Sequence, residues 1–259
     1  SPMSRGLGDV YKRQALQPIN AFELDAAILF SDILTIPDSF GLGVEFIEKE
    51  GPVFRNPISN STDIKNLNHF DPESLDYVYK AVNNIKSSLP EEIPLIGFCG
   101  SPWTLAAYSI EGRSSKDFEK TLGFLESNQK DVHDLLIKYT DACFLYLRKQ
   151  VQSGADVIQI FDSWANLLTK EDLIEFSFNY INSLISALKL DPVTKNIPVI
   201  IFARNPKCNI EELINTSADC ISLFWSMNDL NFEVAKNKVA IQGNLDPKIL
   251  LESNETIKR

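Results

Sequence analysis

The chain has 259 residues, of which 44% are hydrophobic and 23% charged, enough apolar material to bury the core of one globular domain and unlike a disordered segment. No apolar run reaches the roughly 18 residues of a membrane-spanning helix, because polar or charged residues interrupt each one, as Asp32 interrupts AAILFSDIL. With 25 basic against 35 acidic side chains the net charge is −10, and no Lys/Arg cluster interleaved with aromatics stands out, which argues against nucleic acid or a membrane as partner.

The opening stretch, SPMSRGLGDVYKRQ, shows neither twofold nor 3.6-fold apolar periodicity and is read as a non-native or disordered extension over residues 1–14, with the domain proper over 15–259. From there the chain alternates strands and helices. A first strand is predicted over 26–32, and 44–47 is a short excursion strand. A helix over 74–89 carries Leu75, Val78, Tyr79, Val82, Ile85 and Leu89 on one face, and leads to a strand over 94–100. The longest helix bears Val132, Leu135, Leu136, Tyr139, Cys143 and Tyr146 and stops at Gly154, suited to a left-handed residue after a helix end. A strand over 156–163 follows. Thr169, with Asp172 three residues on, caps a further helix, and strands over 198–204, 220–225 and 239–244 complete the set. Asn244 and Asp246 read as turn and cap residues before a helix near Pro247.

Strands apolar on both faces and separated by helices form a buried parallel sheet, doubly wound or closed as a barrel. Polar residues gather where strands end, at Asp32, at Gly100-Ser101-Pro102, at Asp162-Ser163, at Arg204 and at Asn244 to Asp246, as at the C-terminal rim of a (β/α)8 barrel. Neither GxGxxG nor GxxxxGK[ST] is present, so nothing supports the doubly wound alternative. Six strands are readable where a complete barrel has eight. The barrel is therefore expected to be incomplete.

Cys99, Cys143, Cys208 and Cys220 include no CxxC pair and read as buried apolar filler in a reducing cytoplasm. His69 and His133 lie in no HExxH motif and beside no suitably spaced cysteine, which disfavours zinc, and His133 reads as a helix-surface residue.

Four strand-to-loop junctions then carry a resemblance. FELDAAILFSDIL (22–34), PLIGFCGSPWTLAAYSIEG (94–112), GADVIQIFDSWA (154–165) and IQGNLDP (241–247) together resemble the bacterial uroporphyrinogen decarboxylase family, from about Ala15 to the end. The resemblance implies a homodimeric (β/α)8 barrel in the cytoplasm, using no cofactor and no metal. Its reaction removes carbon dioxide from the four acetate side chains of uroporphyrinogen III and leaves coproporphyrinogen III for haem synthesis. Motif by motif, Asp32 resembles the carboxylate that gathers the pyrrole NH groups, Tyr108 and Ser163 resemble substrate contacts, and Phe98 and Phe161 resemble apolar lining. Asp32 is the expected catalytic group. The chain resembles the family's second to seventh strands, and neither the arginine-bearing RQAGRY motif nor the GHG histidine turn has a counterpart, so the 259 residues are expected to have little activity.

The residues add independent logic. Phe30 and Asp32 share one strand face, as do Phe161 and Ser163, while Asp162 has the parity of Ile158 and Ile160 and reads as a structural hydrogen-bonder. A carboxylate framed by Ile28, Leu29, Phe30, Ile33 and Leu34 makes strong charge-assisted hydrogen bonds to converging NH donors. Arg113 and Lys116 read as solvated loop charges, and Arg204 is either a cationic contact or a surface residue. Two other readings compete. One is a zinc-dependent corrinoid or thiol methyltransferase of the same superfamily, disfavoured by the histidine positions. The other is a non-catalytic tetrapyrrole-binding barrel.

Overall fold

The computed structural model describes residues 2–29, 31–48, 51–227 and 232–257. Phe30, expected beside Asp32, lies outside the described residues. A helix, Pro2–Ala21, precedes the first strand and packs against the Asp76–Lys86 helix, so the boundary placed at residue 14 falls inside one continuous element.

The first strand, β1, is Ala27–Ile28. Val44–Ile47 (β2) and Gly51–Phe54 (β3) form an antiparallel hairpin outside the main sheet. The remaining strands are Leu95–Gly100 (β4), Val157–Asp162 (β5), Val199–Ala203 (β6), Cys220–Ser222 (β7) and Ala240–Gln242 (β8). Strands β1, β4, β5, β6, β7 and β8 form one parallel sheet in exactly that spatial order. Neighbours in space thus follow chain order without reversal, the winding of a barrel and not of a doubly wound sheet. Among the described residues the sheet has six strands, which form an open, half-closed barrel.

The helices pack outside this sheet because each has one apolar stripe. The 24-residue Gln129–Gln152 helix buries Val132, Leu135, Leu136, Tyr139, Cys143, Tyr146 and Leu147, and Phe40 meets Tyr139 edge-on at 5.4 Å between ring centroids. It ends before Gly154, whose φ of +113° lets the chain turn into β5 three residues later. The next helix is capped by Thr169, whose Oγ1 accepts from the Asp172 N–H at 3.1 Å. Its middle, Leu173–Phe178, widens to π-type bonding before Asn179–Leu190 continues as α-helix.

At the N-terminal end of the barrel one device appears twice. Asp156 Oδ2 accepts from the Leu95 N–H at 2.8 Å and from Lys86 Nζ at 2.7 Å. Asp219 Oδ2 likewise accepts from the Val199 N–H at 2.7 Å and from Lys189 Nζ at 2.6 Å. Each carboxylate fastens the first amide of the preceding strand to the end of the helix that leads into that strand. These groups lie opposite the strand ends that build the site, so their role is stability.

The short β1 leaves a gap that a side chain fills. Its ladder reaches Ile96, and beyond it the fully buried Gln150 accepts from the Phe98 N–H at 3.0 Å and donates to the Phe98 carbonyl at 2.9 Å. Gly97 makes room for this bracket, since a Cβ there would lie 2.7 Å from Gln150 Oε1. Gln150→Ala removes both bonds from buried peptide groups and is expected to lower stability by about 2 kcal/mol, read as a fall in the urea midpoint at constant slope.

Candidate active site

The C-terminal ends of the strands surround a cleft of about 600 Å³, within the roughly 300–1,000 Å³ typical of small-molecule sites. It is lined by Ser31, Asp32 and Ile33 after β1, Phe98 on β4, Phe161 and Ser163 at the end of β5, Phe46 from the hairpin, and Gln14. Four residues expected from the sequence, Asp32, Phe98, Phe161 and Ser163, therefore meet in one cavity. Phe161 and Ser163 share the inward face, as their spacing requires.

From the lining residues Phe98 and Phe161 an aromatic row runs on from strand to strand. Phe98 meets Phe161 edge-on at 5.6 Å, Phe161 meets Phe202 on β6 at 6.1 Å, and Phe202 meets Phe224 at 6.4 Å. Register produces this row, because Phe161 pairs directly with Phe202 across β5 and β6. Phe224 follows β7 and extends the row by one ring.

Asp32 is partly buried beside this row. Its Oδ1 accepts from the Leu34 N–H at 2.8 Å, which fixes the carboxylate in a turn, while Oδ2 holds no hydrogen bond from the described residues. Burial pushes its carboxyl above the ordinary range, the Leu34 N–H pulls it back, and the Asp38 charge pushes it up again. The result is an acceptor with one oxygen anchored and the other available to a donor in the cleft.

Asp162 points the other way, as its parity with Ile158 and Ile160 demands. It is 1% exposed, its Oδ1 accepts from Ser101 Oγ at 2.8 Å and Thr104 Oγ1 at 2.9 Å, and its Oδ2 accepts from Ser177 Oγ at 2.6 Å. Thr104 Oγ1 in turn accepts from the Trp164 N–H at 3.3 Å, and Trp103 Nε1 donates to the Trp164 carbonyl at 3.1 Å. The turn carrying Ser163 is thus held rigidly against the Pro102–Glu111 helix.

Tyr108 lies on that helix and does not line the cleft itself. Its ring packs edge-on against Trp164 and Phe118, at 5.6 Å and 5.9 Å. Burial raises its hydroxyl pKa, the Trp164 indole opposes this, the Asp32 charge raises it and the Arg204 charge lowers it.

Sequence reasoning placed Ile33 in the apolar frame of Asp32 but missed Ser31, Phe46 and Gln14 as lining residues. Ser31 was open to the same alternation argument as Asp32, but it sits past the end of the β1 ladder, where parity no longer governs. For Phe46, 69% exposed on the hairpin, no local signal existed. His133 belongs to the outer helical layer, where it stacks on Phe176 and bonds to Tyr180 at 2.6 Å and Glu175 at 3.2 Å. Among the described residues no group of three or more His, Cys, Asp and Glu is arranged to hold a metal ion. No described helix is long and apolar enough to cross a membrane.

Comparison with known proteins adds to this geometry. Residues 8–259 match the profile of the family described as uroporphyrinogen decarboxylase (URO-D). The chain is 44% identical over 246 residues to a uroporphyrinogen decarboxylase of Vesicomyosocius okutanii, covering 94% of this chain and 70% of the relative. It is 45% identical over 247 residues to one of Acinetobacter baylyi, covering 94% and 69%. Among solved structures, a methyltransferase from Methanosarcina mazei superposes with a TM-score of 0.68 at 16% identity, covering 92% of this chain and 69% of that one, a likeness of fold.

Proposed function

Because this chain belongs to the uroporphyrinogen decarboxylase family, we propose that its cleft binds uroporphyrinogen III and that the parent enzyme converts the four acetates to methyls, giving coproporphyrinogen III for haem synthesis. The observation that carries this reading is Asp32, a carboxylate with one oxygen anchored by Leu34 and the other without a hydrogen bond from the described residues, within an aromatic cleft. Four pyrrole NH groups converging on the centre of a folded macrocycle require one anionic acceptor, and bonds to a carboxylate are about twice as strong as neutral ones.

The same charge serves the chemistry. Protonation of an acetate-bearing pyrrole ring makes it cationic, and the electrons of the breaking bond to carbon dioxide flow into that ring, leaving an exocyclic methylene. A proton added to the methylene and the ring proton released give the methyl-bearing pyrrole, so each acetate decarboxylated consumes one proton net and frees one carbon dioxide. Asp32 stabilises the positive charge while it exists. Phe98 and Phe161 form the apolar floor, Ser163 contacts the ring periphery, and Tyr108 acts from behind Trp164.

The chain spans about 70% of the relatives' length. The arginine-bearing RQAGRY motif and the GHG turn have no counterpart in the 259 residues, so these residues alone are expected to turn over slowly. We further propose a cytoplasmic homodimer for the parent enzyme. Anaerobic incubation with uroporphyrinogen, followed by product chromatography, tests the reading on this chain and on one extended by the family's first and last strands. Coproporphyrinogen from the extended chain is the expected result, and none from either chain rejects the assignment.

A further inference from the structure

We propose that Arg204 is a carboxylate-recognition residue at the rim of the cleft, taking an acetate or propionate side chain of the bound tetrapyrrole; this rests on the reading of the cleft given above. Three observations place it. The Arg204 N–H donates to the Asp162 carbonyl at 3.0 Å, one step beyond the Asp162 to Ala203 pair, so residue 204 continues the β6 ladder. With that register, Arg204 has the parity of Phe202, the third ring of the aromatic row. Its guanidinium carbon then lies 5.7 Å from the centroid of the Trp164 ring, next to Ser163.

A guanidinium held over an indole keeps its N–H edge free for a planar acceptor. Among the described residues Arg204 has no carboxylate partner, although nine other cation and carboxylate contacts among them, such as Arg148 to Asp191 at 3.0 Å, show how readily the acidic surface supplies one. The charges also match the substrate. Its NH donors lie at the centre of the macrocycle and its carboxylates at the edge, so an anion at the floor and a cation at the rim address the two in their proper places. In a chain of net charge −10, such attraction has to be local.

The test is anaerobic quenching of tryptophan fluorescence in the 259-residue chain by uroporphyrinogen and, separately, by coproporphyrinogen, with Arg204→Gln, Arg204→Lys and Asp32→Asn alongside the parent. Loss of a charged hydrogen-bonding partner is expected to weaken uroporphyrinogen binding about tenfold in Arg204→Gln, with Arg204→Lys within about threefold of the parent. The parent's affinity should also fall more steeply with salt than that of Arg204→Gln. An equal loss for coproporphyrinogen identifies a propionate as the partner, and a loss confined to uroporphyrinogen identifies an acetate. Affinity of Arg204→Gln within twofold of the parent, while Asp32→Asn is impaired, overturns the role of Arg204 and leaves the proposed function standing. Absence of saturable quenching in the parent overturns both.

Discussion

Asp32→Asn is expected to lower kcat/KM for uroporphyrinogen by about 10³-fold, the scale on which a single preorganised electrostatic group acts. The change leaves the shape and the Leu34 contact in place, because an amide oxygen still accepts the N–H that Asp32 Oδ1 accepts at 2.8 Å. What disappears is the charge facing the pyrrole nitrogens and the ring cation. Single-turnover product formation under anaerobic conditions measures the ratio, and a loss of less than tenfold would remove Asp32 from the mechanism.

Acid and stability measurements separate this from a folding defect. Burial, offset by the Leu34 N–H and reinforced by Asp38, raises the Asp32 carboxyl in the fold. The ionised form is the active one, so the rate should rise with pH through a limb displaced above the ordinary carboxylate value of about 4. The folded state holds this proton more tightly than the unfolded chain, so the group's contribution to stability declines as pH rises from the ordinary value through the raised one. At pH 7 the ionised side chain is therefore a burden on the fold, and Asp32→Asn should melt no lower than the parent while losing its activity.

The opposite combination is expected at Asp162. Its two oxygens receive hydroxyls from Ser101, Thr104 and Ser177, and 1% exposure leaves no water to replace them. Asp162→Ala strands three buried hydroxyls and opens a cavity, for a loss of about 4 kcal/mol. In a chain of this size that corresponds to a fall of about 10 °C in Tm, seen by calorimetry. Activity should fall with it, because Thr104 also holds the Trp164 N–H and with it the Ser163 turn. Asp162→Asn, of equal volume and still able to accept, should recover most of the loss. A fall of under 1 kcal/mol in the alanine variant would show that the network is dispensable.

The two aspartates show how far local pattern reaches. Parity alone separates Asp162 from Phe161 and Ser163, since side chains alternate along a strand whatever the surroundings. Parity says nothing of the three hydroxyls that meet Asp162, since they come from a turn, a helix and a π-bonded segment distant in the chain. Strand ends follow the same division. The expected 26–32 strand contracts to Ala27–Ile28, because its pairing with β4 stops at Ile96 and a glutamine from the longest helix takes over at Phe98.

The order of elements, the six parallel strands and the helical stripes were written in the chain itself through hydrophobic periodicity and alternation, which are local, while Asp32, Phe98, Phe161 and Ser163 were picked out by the resemblance of their motifs. Only the folded molecule decided that the hairpin would carry Phe46 to the cleft, that Tyr108 would stand behind Trp164, that Phe202 and Phe224 would prolong the aromatic row, and that Arg204 would lie over an indole with no carboxylate partner among the described residues. Those facts depend on register between strands and on contacts across tens of residues, and no window along a sequence contains them.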